Sequence, residues 1–177
     1  MKRLLIAFAI LAVAGFGCVS KQNQEAAVVD PNATRYENAQ YGFSFAYPSN
    51  LEVRQREENI RATPYLGIDA DFFISLRDTV RDTKPTNIAW FYAAPGLTAD
   101  AFTAALVASN PNGAVQVKSV EDVTVNGLDM KKVTSTTEMG DDKTHYLFER
   151  NGSLVIVSVF LQEDAAWSEV LATMDTF

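Results

Sequence analysis

The chain has 177 residues, 47% of them apolar and 21% charged, the balance of one ordinary globular domain with something extra attached. Its formal charge of −7 argues against nucleic acid and anionic lipid headgroups as partners. Cys18 is the only cysteine, which excludes an intrachain disulfide, a CxxC redox pair and a thiolate zinc site within one chain.

The first residues read as an export signal. Lys2 and Arg3 supply a positive start, and Leu4 to Ala14 form an apolar run of secretory length, too short to span a bilayer comfortably. Gly15-Phe16-Gly17-Cys18 follows, and here the chain resembles a bacterial lipoprotein signal, in which a small residue precedes a cysteine that is lipidated on sulfur and becomes the new N-terminus. Gly17 and Cys18 match that pattern. Gly15 and Phe16 depart from it, since an aliphatic and then a small residue are usual there. The resemblance implies a signal peptide over 1–17, lipidation at Cys18 and a location on the outer face of a bacterial membrane. A plain secretory peptide, or an uncleaved anchor with an incidental cysteine, is the blander alternative. Lipid would supply ~0.8 kcal/mol of anchoring per buried methylene, so the domain would need no membrane-binding surface of its own. Cleavage before Cys18 removes two cations and no acids, taking the charge from −7 to −9. Residues 18–35 are small and polar, contain Pro31 and lack periodicity, as expected of a flexible tether. Asn32-Ala33-Thr34 and Asn151-Gly152-Ser153 match the glycosylation sequon, an accidental match in a bacterial protein.

The domain spans 36–177. Phe43, Phe45 and Tyr47 share one face of a half-buried strand that Pro48 ends, and Leu51, Val53 and the arginines after them are expected to form its return strand. Residues 54–84 mix Arg54, Arg56, Arg61, Arg77, Arg81 and Lys84 with Glu57, Glu58, Asp69, Asp71, Asp78 and Asp82, a solvated face rather than a basic patch. Strands follow over Asp71 to Asp78 and Asn87 to Ala94, the second apolar on both sides. Pro95-Gly96 breaks it, and Thr98 caps a helix to about Ser109 with Phe102, Ala105 and Leu106 inward.

Four consecutive strands come next: Val115 to Val125, Leu128 to Thr137, Lys143 to Arg150 and Ser153 to Leu161. Asn126-Gly127 and Asn151-Gly152 suit two-residue hairpin turns with positive φ at both central positions, and Gly140-Asp141-Asp142 makes a looser one. The fourth strand is apolar on both faces and so belongs at the centre of the sheet, whereas Leu128 to Thr137 belongs near an edge. A helix from about Glu163 to Met174, with Trp167, Val170, Leu171 and Met174 in one stripe, lies over the sheet.

Chemistry is sparse. Gly42-Phe43-Ser44-Phe45-Ala46 approaches a nucleophile elbow, but the serine sits mid-strand rather than in a strand-turn-helix. His145 is the sole histidine, so a Ser-His-Asp site or a histidine-bearing metal site must use it; the plainer reading is a partly exposed strand residue beside a turn. Asp69 and Asp71 place oxygen ligands at alternate positions, suited to a divalent cation, but lack the rest of a calcium loop. Arg61 and Arg77 are cations able to separate them.

Tyr36-x-Asn38-x-x-Tyr41-Gly42-Phe43-Ser44-Phe45-x-Tyr47-Pro48-Ser49 resembles the opening of PsbP-like domains, relatives of the lumenal extrinsic protein of photosystem II. Trp167…Leu171…Met174-Asp175-Thr176-Phe177 is similar to the end of that family. Leu51 stands where a tryptophan is common. The resemblance implies an α+β sandwich with a central antiparallel sheet and helices packed on both faces. The expected function is a non-enzymatic, lipid-anchored binding or assembly module with a protein partner in the cell envelope and no cofactor. The alternatives are a small-ligand or divalent-metal-binding lipoprotein, with Asp69, Asp71 and His145 as ligands and a pocket beneath 54–84, and a hydrolase using His145.

Overall fold

A computed structural model of the chain describes residues 32–56, 60–63, 68–79, 86–108, 115–136, 140–160 and 165–177. In chain order these form β1 (Thr34–Asn38), β2 (Phe43–Tyr47), β3 (Leu51–Arg56), β4 (Ile60–Thr63), β5 (Ile68–Ala70), β6 (Phe72–Asp78), β7 (Thr86–Pro95), α1 (Ala99–Ala108), β8 (Gln116–Val125), β9 (Leu128–Thr136), β10 (Asp142–Arg150), β11 (Ser153–Val159), α2 (Ala165–Ala172) and β12 (Asp175–Thr176). The expected signal peptide, Cys18 and nearly all of the expected tether lie outside the described residues.

The main sheet is antiparallel and seven-stranded, in the order β3-β6-β7-β11-β10-β9-β8. β11 is fourth of seven, the place its two apolar faces require, and every one of its residues is buried. β9 lies one strand in from the edge, which β8 occupies. The hairpin turns are as the sequence demands: Asn126 and Gly127 have φ of 50° and 77°, Asn151 and Gly152 have 50° and 74°.

Two apolar clusters lie on opposite faces of this sheet. Val155, Val157 and Val159 point into the first, with Phe91, Phe148, Ile74, Leu76 and Val125. Leu154 and Ile156 point into the second, with Tyr92, Val133 and Leu147. The first is covered by a three-stranded sheet, β1-β2-β12, through Phe43 and Phe45, and by α2 through Trp167 and Val170. Phe45 stacks on Phe91 with ring centroids 4.8 Å apart. α1 contributes Phe102 and Leu106 to the second cluster, and β5, in a hairpin with β4, contributes Ala70. The described residues are thus mostly β-sheet with two helices. Instead of a layer of helices on each face, a second sheet supplies much of the covering, because Phe43 and Phe45 present a strand face where a helix was expected.

β3 departs from its expected role. It pairs with β6 in the main sheet, not with β2, whose neighbours are β1 and β12. The turn after Pro48, closed by Leu51 N–H donating to Pro48 O at 3.0 Å, carries the chain from one sheet to the other. The helix ends fit their local chemistry. Thr98 Oγ1 accepts from Ala101 N–H at 3.1 Å, capping α1. α2 ends at Ala172, before Met174 of its apolar stripe, because Thr173 and Met174 close it with i→i−3 bonds to Val170 and Leu171; the expected start at Glu163 lies outside the described residues. No helix of the described residues is long and apolar enough to cross a membrane.

Candidate functional site

The two-residue turn at Asn151-Gly152 sets Arg150 opposite Ser153 and, by counting outward, His145 opposite Ser158. His145 Nδ1 lies 2.9 Å from Ser158 Oγ. The imidazole is 0% exposed and sits edge-on to Phe102 of α1, centroids 5.4 Å apart. The expectation of a partly exposed residue is corrected: α1 lies over this part of β10 and seals the ring. Burial, reinforced by the Lys143 ammonium on the same face, lowers the His145 pKa to about 3, so the ring is neutral at physiological pH. Its Nε2 is the one buried side-chain polar atom without a partner among the described residues. The serine–imidazole distance is that of a nucleophile and its base. Both side chains are buried in the sheet, however, and a base of this pKa is poorly matched to catalysis near neutrality.

The acidic pair lies apart from it. Asp69 is in β5, where the register sets Arg61 of β4 opposite it; its side chain lies outside the described residues. Asp71 is exposed, its N–H donates to Ala93 O at 2.9 Å, and its charge helps to raise the Tyr41 phenol pKa, after burial of the ring. Tyr41 belongs to the first cluster, whereas His145 packs on Phe102 of the second, so Asp71 and His145 are not brought together. No group of three or more histidine, cysteine, aspartate or glutamate side chains among the described residues is placed to hold a metal ion. Ser44 of the elbow-like sequence is buried in β2 and accepts from Arg35 Nη2 at 2.7 Å, an ordinary strand residue with a satisfied hydroxyl.

A different place is open to solvent. A cleft of about 510 Å³ lies beside the start of α1, lined by Asp122, Thr124, Asp129, Lys131, Leu147 and Glu149 among others. The Asn126-Gly127 turn fixes its register, setting Asp122 opposite Lys131 and Thr124 opposite Asp129. Lys131 Nζ lies 3.1 Å from Asp122 and 3.6 Å from Asp100, and its pKa is raised chiefly by the hydrogen bond to Asp122. Thr124 Oγ1 donates to Asp129 at 2.7 Å, and Glu149 accepts from the Ala99 N–H at 3.0 Å, at the helix end where a carboxylate is favoured. Two carboxylates, Asp122 and Asp100, thus hold the Lys131 ammonium while Asp129 and Glu149 also line the cleft, an acidic environment suited to a cationic side chain. The pocket expected beneath 54–84 is not where this cleft lies, and much of that segment is outside the described residues. The cleft escaped sequence reading because Asp100 and Glu149 reach it from distant elements, although the hairpin register alone pairs Asp122 with Lys131.

No protein-family model matches the sequence, and no curated protein matches it significantly. Among solved structures, cyanobacterial PsbP (CyanoP) from Synechocystis sp. PCC 6803 aligns over 85% of this chain and 96% of its own, with a TM-score of 0.56 and 12% identity. A Bacteroides thetaiotaomicron protein aligns over 81% of this chain and 48% of its own (TM-score 0.43, 17% identity), and a Pseudomonas aeruginosa protein of unknown function over 80% and 94% (TM-score 0.38, 12% identity). With the two-faced sheet, the aromatic strand β2 and the closing helix already in place, the likeness to CyanoP means that this chain has a PsbP-like fold.

Proposed function

We propose that the chain is an exported, lipid-anchored binding or assembly module without catalytic activity, held to the outer face of a bacterial membrane through Cys18 and engaging a protein partner in the envelope. The observation that carries this reading is the contrast between its two faces of chemistry: the His145–Ser158 pair is sealed in the sheet, while the charged cleft and the edge of β8 are presented to solvent. The positive start, apolar run and Gly17-Cys18 junction support the anchor. Inhibition of lipoprotein signal peptidase with globomycin, or Cys18→Ala, is expected to leave an unlipidated precursor, and cross-linking on intact cells is expected to capture an envelope protein. Unchanged processing and fractionation would remove the anchor; a chain that cross-links to nothing would remove the module.

The acidic cleft supports a second reading, a lipoprotein that binds a small cationic ligand or a divalent ion. Thermal unfolding against a panel of amines and divalent cations separates the two, since a ligand at a hundred times its Kd stabilises by ~2.7 kcal/mol.

A further inference from the structure

β8 is an outermost strand of the seven-stranded sheet, and from Ser119 to Val125 it runs in unbroken register with β9. Its outer edge meets no strand among the described residues. Such an edge offers free N–H and C=O groups to any extended chain, and proteins usually blunt it with bulges, prolines or lysines. Here the blunting stops at one end. The register shifts between Val117 and Ser119, and Lys118 is tied to Asp142 at 2.6 Å. Beyond that point the strand has no lysine, arginine or proline.

What it carries instead is acid and one bare aliphatic residue. Val120 and Asp122 lie two apart and so share a face, the one turned to α1, since Val133 opposite Val120 belongs to the second cluster. Val120 is 46% exposed and Asp122 is 89% exposed despite its contact with Lys131. Across the cleft Asp100 of α1 is 90% exposed, and Val107 near the end of the same helix is also exposed. Glu121 adds a further exposed acid on the strand's other face.

We propose that the outer edge of β8, from Ser119 to Val125, accepts an extended segment of a partner protein as an eighth strand, and that this segment carries a lysine or arginine and an aliphatic residue two positions apart. The inference rests on the binding-module reading and gives its partner a chemistry. Main-chain hydrogen bonds along the edge supply the pairing, and alternate side chains supply the choice of partner. The partner's cation lies beside Asp122 and Asp100, and its aliphatic residue covers Val120. A second copy of this chain is a poor occupant, because pairing two β8 edges through their middle would bring the Glu121-Asp122 acids of both copies together in a chain of charge −7.

The test is hydrogen exchange on the full-length chain in detergent micelles. The probe is a short peptide alternating lysine and valine with threonine, and the control replaces lysine with glutamate. The expected result is slowed exchange confined to Ser119–Val125, weakened by salt and absent with the control. The charge-reversed double variant E121K/D122K is expected to lose affinity for the lysine peptide by ~tenfold or more, with its unfolding midpoint reporting that it still folds. Absence of protection on β8 overturns the proposal, as does equal protection by both peptides. Protection that grows with protein concentration alone also overturns it, assigning the edge to self-pairing. Envelope cross-links that persist in E121K/D122K remove this edge while leaving the binding module; loss of all cross-links in the parent chain removes the module, whatever the peptide does.

Discussion

The hydroxyl of Thr173 bridges to a single residue 127 positions earlier: Ala46 N–H donates to Thr173 Oγ1 at 2.8 Å, and the same oxygen lies 3.0 Å from Ala46 O. A side chain at the end of α2 thereby imitates a strand residue and extends the pairing of β2 past β12. The hydroxyl also lies 3.0 Å from Val170 O, so Thr173→Val keeps the shape and removes all three contacts, leaving Ala46 N–H without its partner. We expect a loss of about 2 kcal/mol, read as a fall in the midpoint of thermal unfolding of ~4 °C or more. An unchanged midpoint would mean that solvent replaces the hydroxyl at no cost.

Asn126 serves its turn and also the helix behind it. Its Nδ2 donates to the Ala172 carbonyl, with Met174 O at 3.3 Å, so a hairpin tip supplies a donor to the carbonyls at the C-terminal end of α2. Asn126→Gly preserves the positive φ and removes only this donor, and is expected to cost about 1 kcal/mol. Asn126→Ala adds the left-handed backbone penalty of about 1–2 kcal/mol. Chemical denaturation of both variants separates the two contributions.

Gly42 and Gly152 both have positive φ, 63° and 74°, but only one is crowded. A Cβ at Gly42 would lie 2.9 Å from the Phe177 carbonyl oxygen and 2.9 Å from Asn151 Nδ2, whereas nothing lies within 4 Å of one at Gly152. Gly152→Ala is expected to cost the backbone term alone, about 1–2 kcal/mol. Gly42→Ala should cost more, since β12 must shift to admit the methyl group. Equal losses in the two variants would show that the chain end yields freely.

Acid should weaken the fold through His145. The unfolded chain takes up a proton near pH 6.5, while the folded ring resists it down to about pH 3, so stability is complete above 6.5 and declines as pH falls towards 3. The slope is about 1.4 kcal/mol per pH unit within that window, or roughly 2 kcal/mol between pH 7 and 5. Urea midpoints at the two pH values should differ in the parent chain and converge in His145→Gln. A slope that survives the substitution would assign the acid sensitivity to other groups.

The architecture of the main sheet was legible wherever local chemistry decides geometry. The two Asn-Gly turns fix the pairing of four strands, and once Arg150 faces Ser153 the partnership of His145 with Ser158 follows from counting alone. What escaped reading depends on contacts distant in sequence. β3 follows β2 after a short turn, as a return strand would, yet pairs with β6 across the sandwich. His145 stands between polar neighbours in the sequence, and only the placement of Phe102 over it makes it a buried residue. The cleft needed Asp100 and Glu149 to arrive from α1 and β10, which no spacing along the chain announces.

β12 pairs with β2, so a strand near the start of the domain takes its second neighbour from residues 175 and 176. A nascent chain emerging from the ribosome can form the β1–β2 hairpin early, but that hairpin stays half-clothed until almost all of the domain has been synthesised. Contacts of such long sequence separation close slowly, and in the interval β2 lacks its second strand partner even though Phe91 of β7 can already cover Phe43 and Phe45. The outer edge of β2 therefore closes only once residues 175 and 176 are available, and a product truncated before Thr173 would leave that edge open as a handle for chaperones and proteases.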